Sequence, residues 1–404
     1  MGKQVDINIP KIRIHGFEDE WERNLIGSIL SEVKRPIKLE DDQSYELITV
    51  RRRNEGIVSR GFLLGRNILV KNYSQLQIGD FVISKRQVVH GASGIVPAKL
   101  NKAIVSNEYL VAVENSDIST EFLAALSSLP KMKRKFFLSS YGVDIEKLFF
   151  DVEDWKGRFI TIPKLGEQLK ISAYLKELDQ LIHLHLLERE KLVTLKKAML
   201  QKMFPRNGVT KPEIRFKGFT EDWKKKKLGN ISDSFSGGTP SVANHFFYGG
   251  NISFIRSGEI NSKSTELTIT ELGLQNSAAK LVNKGDILYA LYGATSGEVG
   301  ISQVNGAINQ AVLCIKPHSG NNSQFLSVWL RSQKTAIIGT YLQGGQGNLS
   351  GSIIKLLEVD LPGAIEQQKI GNYFEKLDRL IALHVTRLEK IKQIKLACME
   401  KMFV

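Results

Sequence analysis

The chain has 404 residues, an ordinary apolar content of 42% and a formal net charge of +14, which allows two or three domains and suits a polyanionic partner, nucleic acid being the commonest. Its two cysteines, Cys314 and Cys398, fit neither a disulfide framework nor a cysteine-rich zinc site. No apolar run is long enough to span a membrane, the start MGKQVDINIPK lacks the apolar core of a signal peptide, and Asp6 stands where a myristoylation site needs Ser or Thr, so a cytoplasmic protein is predicted.

In chain order, residues 10–29 read PKIRIHGFEDEWERNLIGSI. From Ser31 to Phe159 the pattern is of short strands and turns, with YELITV, FVIS and AIVS as strands, a Gly79-Asp80 turn and the glycine-rich HGASG at 90–94. Arg51, Arg52 and Arg53 follow the first strand, Lys85 and Arg86 the second, and Lys131, Lys133, Arg134 and Lys135 form a basic stretch. Arginine forks suit guanine edges, and lysine point charges suit phosphates. Glu167 to Phe204 then contains neither Pro nor Gly, and Leu178, His185, Leu192 and Met199 mark one heptad position, with Leu181 and Leu195 strengthening its neighbour. A helix of about 38 residues, about 57 Å long, is predicted.

The opening then returns as PEIRFKGFTEDWKKKKLGNI at 212–231: Pro10, Arg13, Gly16, Phe17 and Trp21 recur as Pro212, Arg215, Gly218, Phe219 and Trp223. Asp233 to Glu358 again reads as strands and turns, among them ISFI, DILYAL and AVLCIKP, with a Gly285-Asp286 turn and the loop YGATSGEVG at 292–300. SFSGGTPSVANHFFYGG combines a flexible Gly237-Gly238 pair with Thr239, Ser241, Asn244, His245 and Tyr248. LQGGQGNLSG carries Gln343, Gln346, Asn348 and Ser350. Amide side chains can read adenine bidentately. A second helix follows from Glu366 to Phe403, with Leu377, His384, Ile391 and Cys398 in the same phase, supported by Leu380 and Ile394. Each helix comes after a proline that closes a strand-like run, FITIPKL and VDLPGAI.

Such a long repeat is a duplicated domain and not a solenoid. The expected fold is mixed α/β (α+β): globules at 10–164 and 206–362, and helices at 165–205 and 363–404. Helices longer than a globule must bury their seams against each other, so an antiparallel coiled-coil pair with the globules at opposite ends and pseudo-twofold symmetry is predicted. No catalytic, cofactor or metal site is expected. YGATSGEVG lacks the Lys-Ser or Lys-Thr of a phosphate loop, and there is no amino-methyltransferase motif, His-Glu-x-x-His pair or Gly-x-Ser-x-Gly elbow.

The doubled PxIRxxGFxxxW opening, GGTPSVANHFFYGGNISFIRSGEI, the NLSGSIIKLLEVDLP approach and the doubled P-x-x-x-E-Q-x-K-I helix starts carry a resemblance. The chain resembles, over essentially its whole length, the specificity subunit of type I restriction-modification systems. That resemblance implies two target-recognition domains, each reading half of a split DNA sequence, and long helices that bind methyltransferase subunits, expected as two copies. Methylation, translocation and cleavage would belong to those methyltransferase and restriction subunits. It puts Gly237, Gly238, Thr239 and Pro240 in a DNA-facing loop, with Gln346, Asn348 and Ser350 near another. Arg51, Arg52, Arg53, Lys85, Arg86, Gly91, Ser93, Ser241 and Tyr292 complete the candidate DNA-contacting set. The first globule has RRRNEGIVSRG and HGASGIVP in place of GGTP, so the target is expected to be asymmetric. The competing readings are a coiled-coil scaffold with protein-binding globules and an enzyme that cuts or modifies DNA by itself.

Overall fold

The computed structural model describes residues 8–69, 72–205, 209–341 and 348–404. They form two compact units, Met1–His185 with Arg387–Val404, and Leu186–Thr386. Two helices of 38 residues, Leu165–Lys202 and Ala364–Lys401, start in one unit and finish in the other. Each begins directly after the strand-closing proline region and stops two residues short of the expected phenylalanine, because Phe204 and Phe403 turn into globule cores.

Each unit has a four-stranded antiparallel sheet with the same order. In the first it runs Ser31–Glu32, Tyr109–Val113, Phe81–Ser84, Ser93–Ile95, and in the second Ser232–Ser236, Val312–Pro317, Ile287–Ala290, Val299–Ile301. Alternation along the strand sends Phe81 and Ile83 into one core and Val82 into another, as it does Ile287 and Tyr289 against Leu288 and Ala290. Burial on both faces explains why FVIS and DILYAL read as continuous apolar runs. A second sheet, five-stranded in the first unit and four-stranded in the second, contains one parallel pairing in each case, Leu47 with Ile104 and Phe254 with Ala307.

The repeated opening is a buckle. Arg13 Nε and Nη2 donate to the Glu167 carboxylate at 2.9 and 2.8 Å, and Arg215 does the same to Glu366 at 2.7 and 2.8 Å. Ile12 N–H donates to the Lys401 carbonyl at 2.9 Å and Ile214 N–H to that of Lys202 at 2.8 Å, satisfying carbonyls that a helix end leaves open. Trp21 packs edge-on against Phe403, and Trp223 against Phe204. Beside each glutamate, a buried glutamine closes the junction. Gln168 donates to the Pro163 carbonyl and accepts from Ser119 N–H, while Gln367 donates to that of Pro362 and accepts from Asn322 N–H.

The helix seam differs from the heptad reading in one respect. Leu178, Leu377 and Cys398 are buried, and His185, Leu192, Met199, His384 and Ile391 are partly buried. Leu181, Leu195, Leu380 and Ile394, expected beside them, are 44%, 40%, 41% and 37% exposed. The inner row continues four residues on instead of three, through Ile182, Ile381 and Leu388. Both rows mix apolar and charged residues in sequence, so periodicity cannot choose between them. The four-residue row also contains Lys395 and Lys196, whose ammonium groups reach Asp179 in the first unit and Asp378 in the second.

Candidate nucleic-acid interface

Strand Phe81–Ser84 of the first unit runs out at Lys85, and strand Ile287–Ala290 of the second at Leu291. The same hydrogen bonds surround both ends. Lys85 N–H donates to the Glu108 carbonyl at 2.9 Å, and Leu291 N–H to that of Ala311 at 2.8 Å. The Lys85 carbonyl accepts from Phe150 N–H at 3.0 Å, and that of Leu291 from Leu349 N–H at 3.1 Å. Ser84 N–H reaches the Ala92 carbonyl at 3.0 Å, and Ala290 N–H that of Glu298 at 2.9 Å. Between these bonds, Gly91 and Gly297 turn the chain with φ of 78° and 79°, a conformation that favours glycine. HGASG and the end of YGATSGEVG are therefore one loop in two copies, and each unit gathers three loops at one sheet end.

In the first unit this end collects the basic residues read from the sequence. A turn at Arg52–Asn54 has two successive residues at positive φ, Arg53 at 59° and Asn54 at 57°. Neighbours hold this costly geometry: Asn54 N–H donates to the Gly91 carbonyl at 2.8 Å and its Nδ2 to Ser93 Oγ at 3.2 Å. Arg52 is positioned by Gln87 at 2.8 Å and Glu146 at 2.6 Å, whereas Arg51 and Arg53 extend into solvent. Arg86 pairs with Glu108 at 2.7 Å and covers the Phe149 ring at 4.9 Å, and Lys85 Nζ donates to the Asn107 carbonyl. Gly91 and Ser93 are buried and shape the loop from within. The basic stretch lies on helix Pro130–Leu138, which buries Met132 and Phe136. There burial and the adjacent Arg158, Arg23 and Lys131 hold Lys135 below the usual lysine range.

The second unit hangs different side chains on the frame. Gly237 and Gly238 are a packed pair and not the flexible one expected. A Cβ at 237 would stand 1.8 Å from the Ile308 carbonyl oxygen, and one at 238 would stand 2.5 Å from Ala278 Cβ. Close approach of chain to chain is what requires glycine there. Gly238 and Pro240 are buried, while Thr239 and Ser241 are exposed, and Thr239 Oγ1 donates to Gln310 at 2.7 Å. Tyr292 is partly buried against the core, which pushes its phenol up. Asn348 is exposed, Ser350 caps helix Gly351–Leu356 by accepting from Ile353 N–H at 3.3 Å, and Gln343 and Gln346 lie outside the described residues. Strand Lys224–Lys227 exposes four consecutive lysines.

Sequence reading missed Asn54, Gln87, Glu146, Gln310 and the hairpin that carries Tyr141 and Phe149. Each is a polar or short segment whose neighbours are distant in the chain, so no local pattern marks it. Among the described residues, no group of three or more His, Cys, Asp or Glu side chains could hold a metal ion, and no helix is long and apolar enough to cross a membrane.

Residues 220–393 match the type I restriction modification DNA specificity domain. The type I restriction enzyme MjaIX specificity subunit of Methanocaldococcus jannaschii is 28% identical over 195 residues, 46% of this chain and 44% of that protein. The chain thus spans about half the length of the curated relatives it matches first. The MjaVIII specificity subunit of the same organism is 22% identical over 415 residues, covering 95% of this chain and 92% of its own. In fold, the chain is similar to the type I restriction-modification system S subunit from M. genitalium, with a TM-score of 0.62 at 13% identity over 98% of this chain and 99% of that one.

Proposed function

We propose that this chain, which belongs to the family of type I restriction-modification specificity subunits, reads a two-part, asymmetric sequence in duplex DNA and performs no catalysis itself. The observation that carries this reading is the duplicated loop frame around Lys85 and Leu291, one scaffold bearing two different sets of side chains. Arg51, Arg53, Lys85 and Arg86 serve the first half-site, and Thr239, Ser241, Gln310 and Asn348 the second. Lysines 224–227 suit phosphates, which position a protein without specifying sequence. The site of action is the cytoplasm.

Binding of the purified chain to a duplex carrying its target should fall steeply with salt. About six phosphate contacts would give a log–log slope near −5 and roughly a thousandfold loss between 50 and 200 mM salt. A protein-binding scaffold would show little DNA affinity at any salt, and that result would remove the reading. Cleavage or methylation of plasmid by the chain alone would replace it with the enzymatic one.

The partners are two methyltransferase subunits and the restriction subunits, docking on the outer apolar row of the long helices. Leu184 and Leu383, three residues on from the exposed Leu181 and Leu380, hold equivalent places in the two helices and are 51% and 41% exposed. The double substitution Leu184→Asp, Leu383→Asp should leave the helical circular-dichroism signal intact and strip methyltransferase from the purified complex. Full stoichiometry in the variant would exclude this docking row.

A further inference from the structure

The segment ending at Phe150 corresponds in the duplicated frame to the one ending at Leu349, since both donate to the carbonyl that follows the central strand. In the first unit that segment is a hairpin, Ser140–Tyr141 against Phe149–Phe150. Its tip alternates apolar and polar residues. Tyr141, Val143 and Ile145 are 61%, 107% and 56% exposed, so three apolar side chains at alternate positions stand in water. One such residue is ordinary on a surface, but three grouped on a short tip suggest a partner.

The tip is held in place. Asp144 caps the turn Ile145–Lys147 by accepting from Glu146 N–H at 3.2 Å, and Glu146 in turn reaches Arg52 at 2.6 Å. Tyr141 packs on Phe149 with ring centroids 5.8 Å apart, beneath the Arg86 guanidinium. The hairpin is thereby fastened to both basic clusters, the Arg51–Arg53 turn and Lys85–Arg86. An apolar tip on a hairpin tied to Arg52 and Arg86 matches duplex DNA, where phosphates meet the cations and thymine methyl groups offer apolar edges in the major groove.

We infer that this hairpin is the base-reading element of the first globule, with Val143 and Ile145 contacting thymine methyl groups and Arg51 and Arg53 taking flanking phosphates. The inference rests on the DNA-reading function proposed above and adds the chemistry of one half-site. The corresponding segment of the second globule brings the exposed Asn348 to that place instead, so the two half-sites are expected to differ in chemistry.

The test is selection from a randomised duplex pool by the full-length chain, comparing wild type with Val143→Ser, Ile145→Ser and with the conservative Val143→Ile. The serine variant should lose preference at thymine-containing positions in one half of the enriched motif and keep the other half. Its affinity for the wild-type site should fall about tenfold, the scale of one mismatched pair, with binding to random duplex unchanged. Val143→Ile should retain the motif. An unchanged motif in the serine variant overturns the inference, as does an equal loss on specific and random duplex. A variant with the wild-type motif but without bound methyltransferase would assign the hairpin to a protein contact and also overturn it. If wild type enriches no motif at all, the DNA-reading function falls first and the inference with it.

Discussion

Replacing Glu366 with alanine is expected to cost the second unit about 3–5 kcal/mol of stability, the scale seen when one partner of a buried ion pair is removed. Glu366 is 1% exposed and accepts both donors of Arg215, itself 14% exposed. Without the carboxylate, a guanidinium that is permanently charged remains in a site that water barely reaches. Against a typical domain stability of about 5–15 kcal/mol, a loss of this size shifts the urea midpoint far below that of wild type. Unfolding followed by tryptophan fluorescence would report it through Trp223 and Trp329, both in the core of this unit. Glu167→Ala should act likewise on the first unit, where Glu167 is 2% exposed beneath Arg13. Glu366→Gln, which keeps an acceptor oxygen but loses the charge, should lie between alanine and wild type. A loss under about 1 kcal/mol for Glu366→Ala would show that the buckle is not what fastens the opening segment to the helix.

On the DNA-reading function proposed above, exchanging residues 231–358 for the matching segment of a relative is expected to replace one half of the methylated sequence completely and leave the other half untouched. The cores beneath the second set of loops, around Ile287 and Tyr289 on one sheet face and Leu288 and Ala290 on the other, are built from residues of that unit. The junctions are also favourable. The Lys227–Glu358 pairing closes the edge ribbon, and Ile231 lies directly after the short turn Leu228–Asn230. Sequencing of modified adenines in a host carrying the chimera and its partner subunits would give the result. A chimera that altered both halves together would mean that the globules do not read independently.

What was legible in the sequence followed from local or repeated signals. Helix periodicity and the preceding prolines located both long helices to within two residues, because a helix is specified by neighbours three and four positions apart. FVIS and DILYAL were recognisable as strands because burial on both faces leaves no polar alternation. The doubled Arg, Trp and Glu-Gln positions announced a duplicated junction but not its mechanism, since Arg13 and Glu167 meet only after the whole first globule has folded.

The candidate site was less legible. Charge marked Arg51–Arg53 and Lys85–Arg86, yet nothing local shows that Arg52 is already engaged by Gln87 and Glu146 while Arg51 and Arg53 are left to solvent. Gly237-Gly238 looked like flexibility and proved to be tight packing, because a missing Cβ serves either purpose and only the Ile308 carbonyl and Ala278 decide which. The choice between the Leu181 row and the Ile182 row was likewise made by what packs against the helix. The sequence by itself determined the duplication, the element types and the basic character of the surface, all of which depend on composition and short spacing. Tertiary structure decided which apolar row is inside, which arginines are free and where the Tyr141–Phe149 hairpin stands. Those outcomes depend on contacts between residues far apart in the chain, and their energies are set by distance in space.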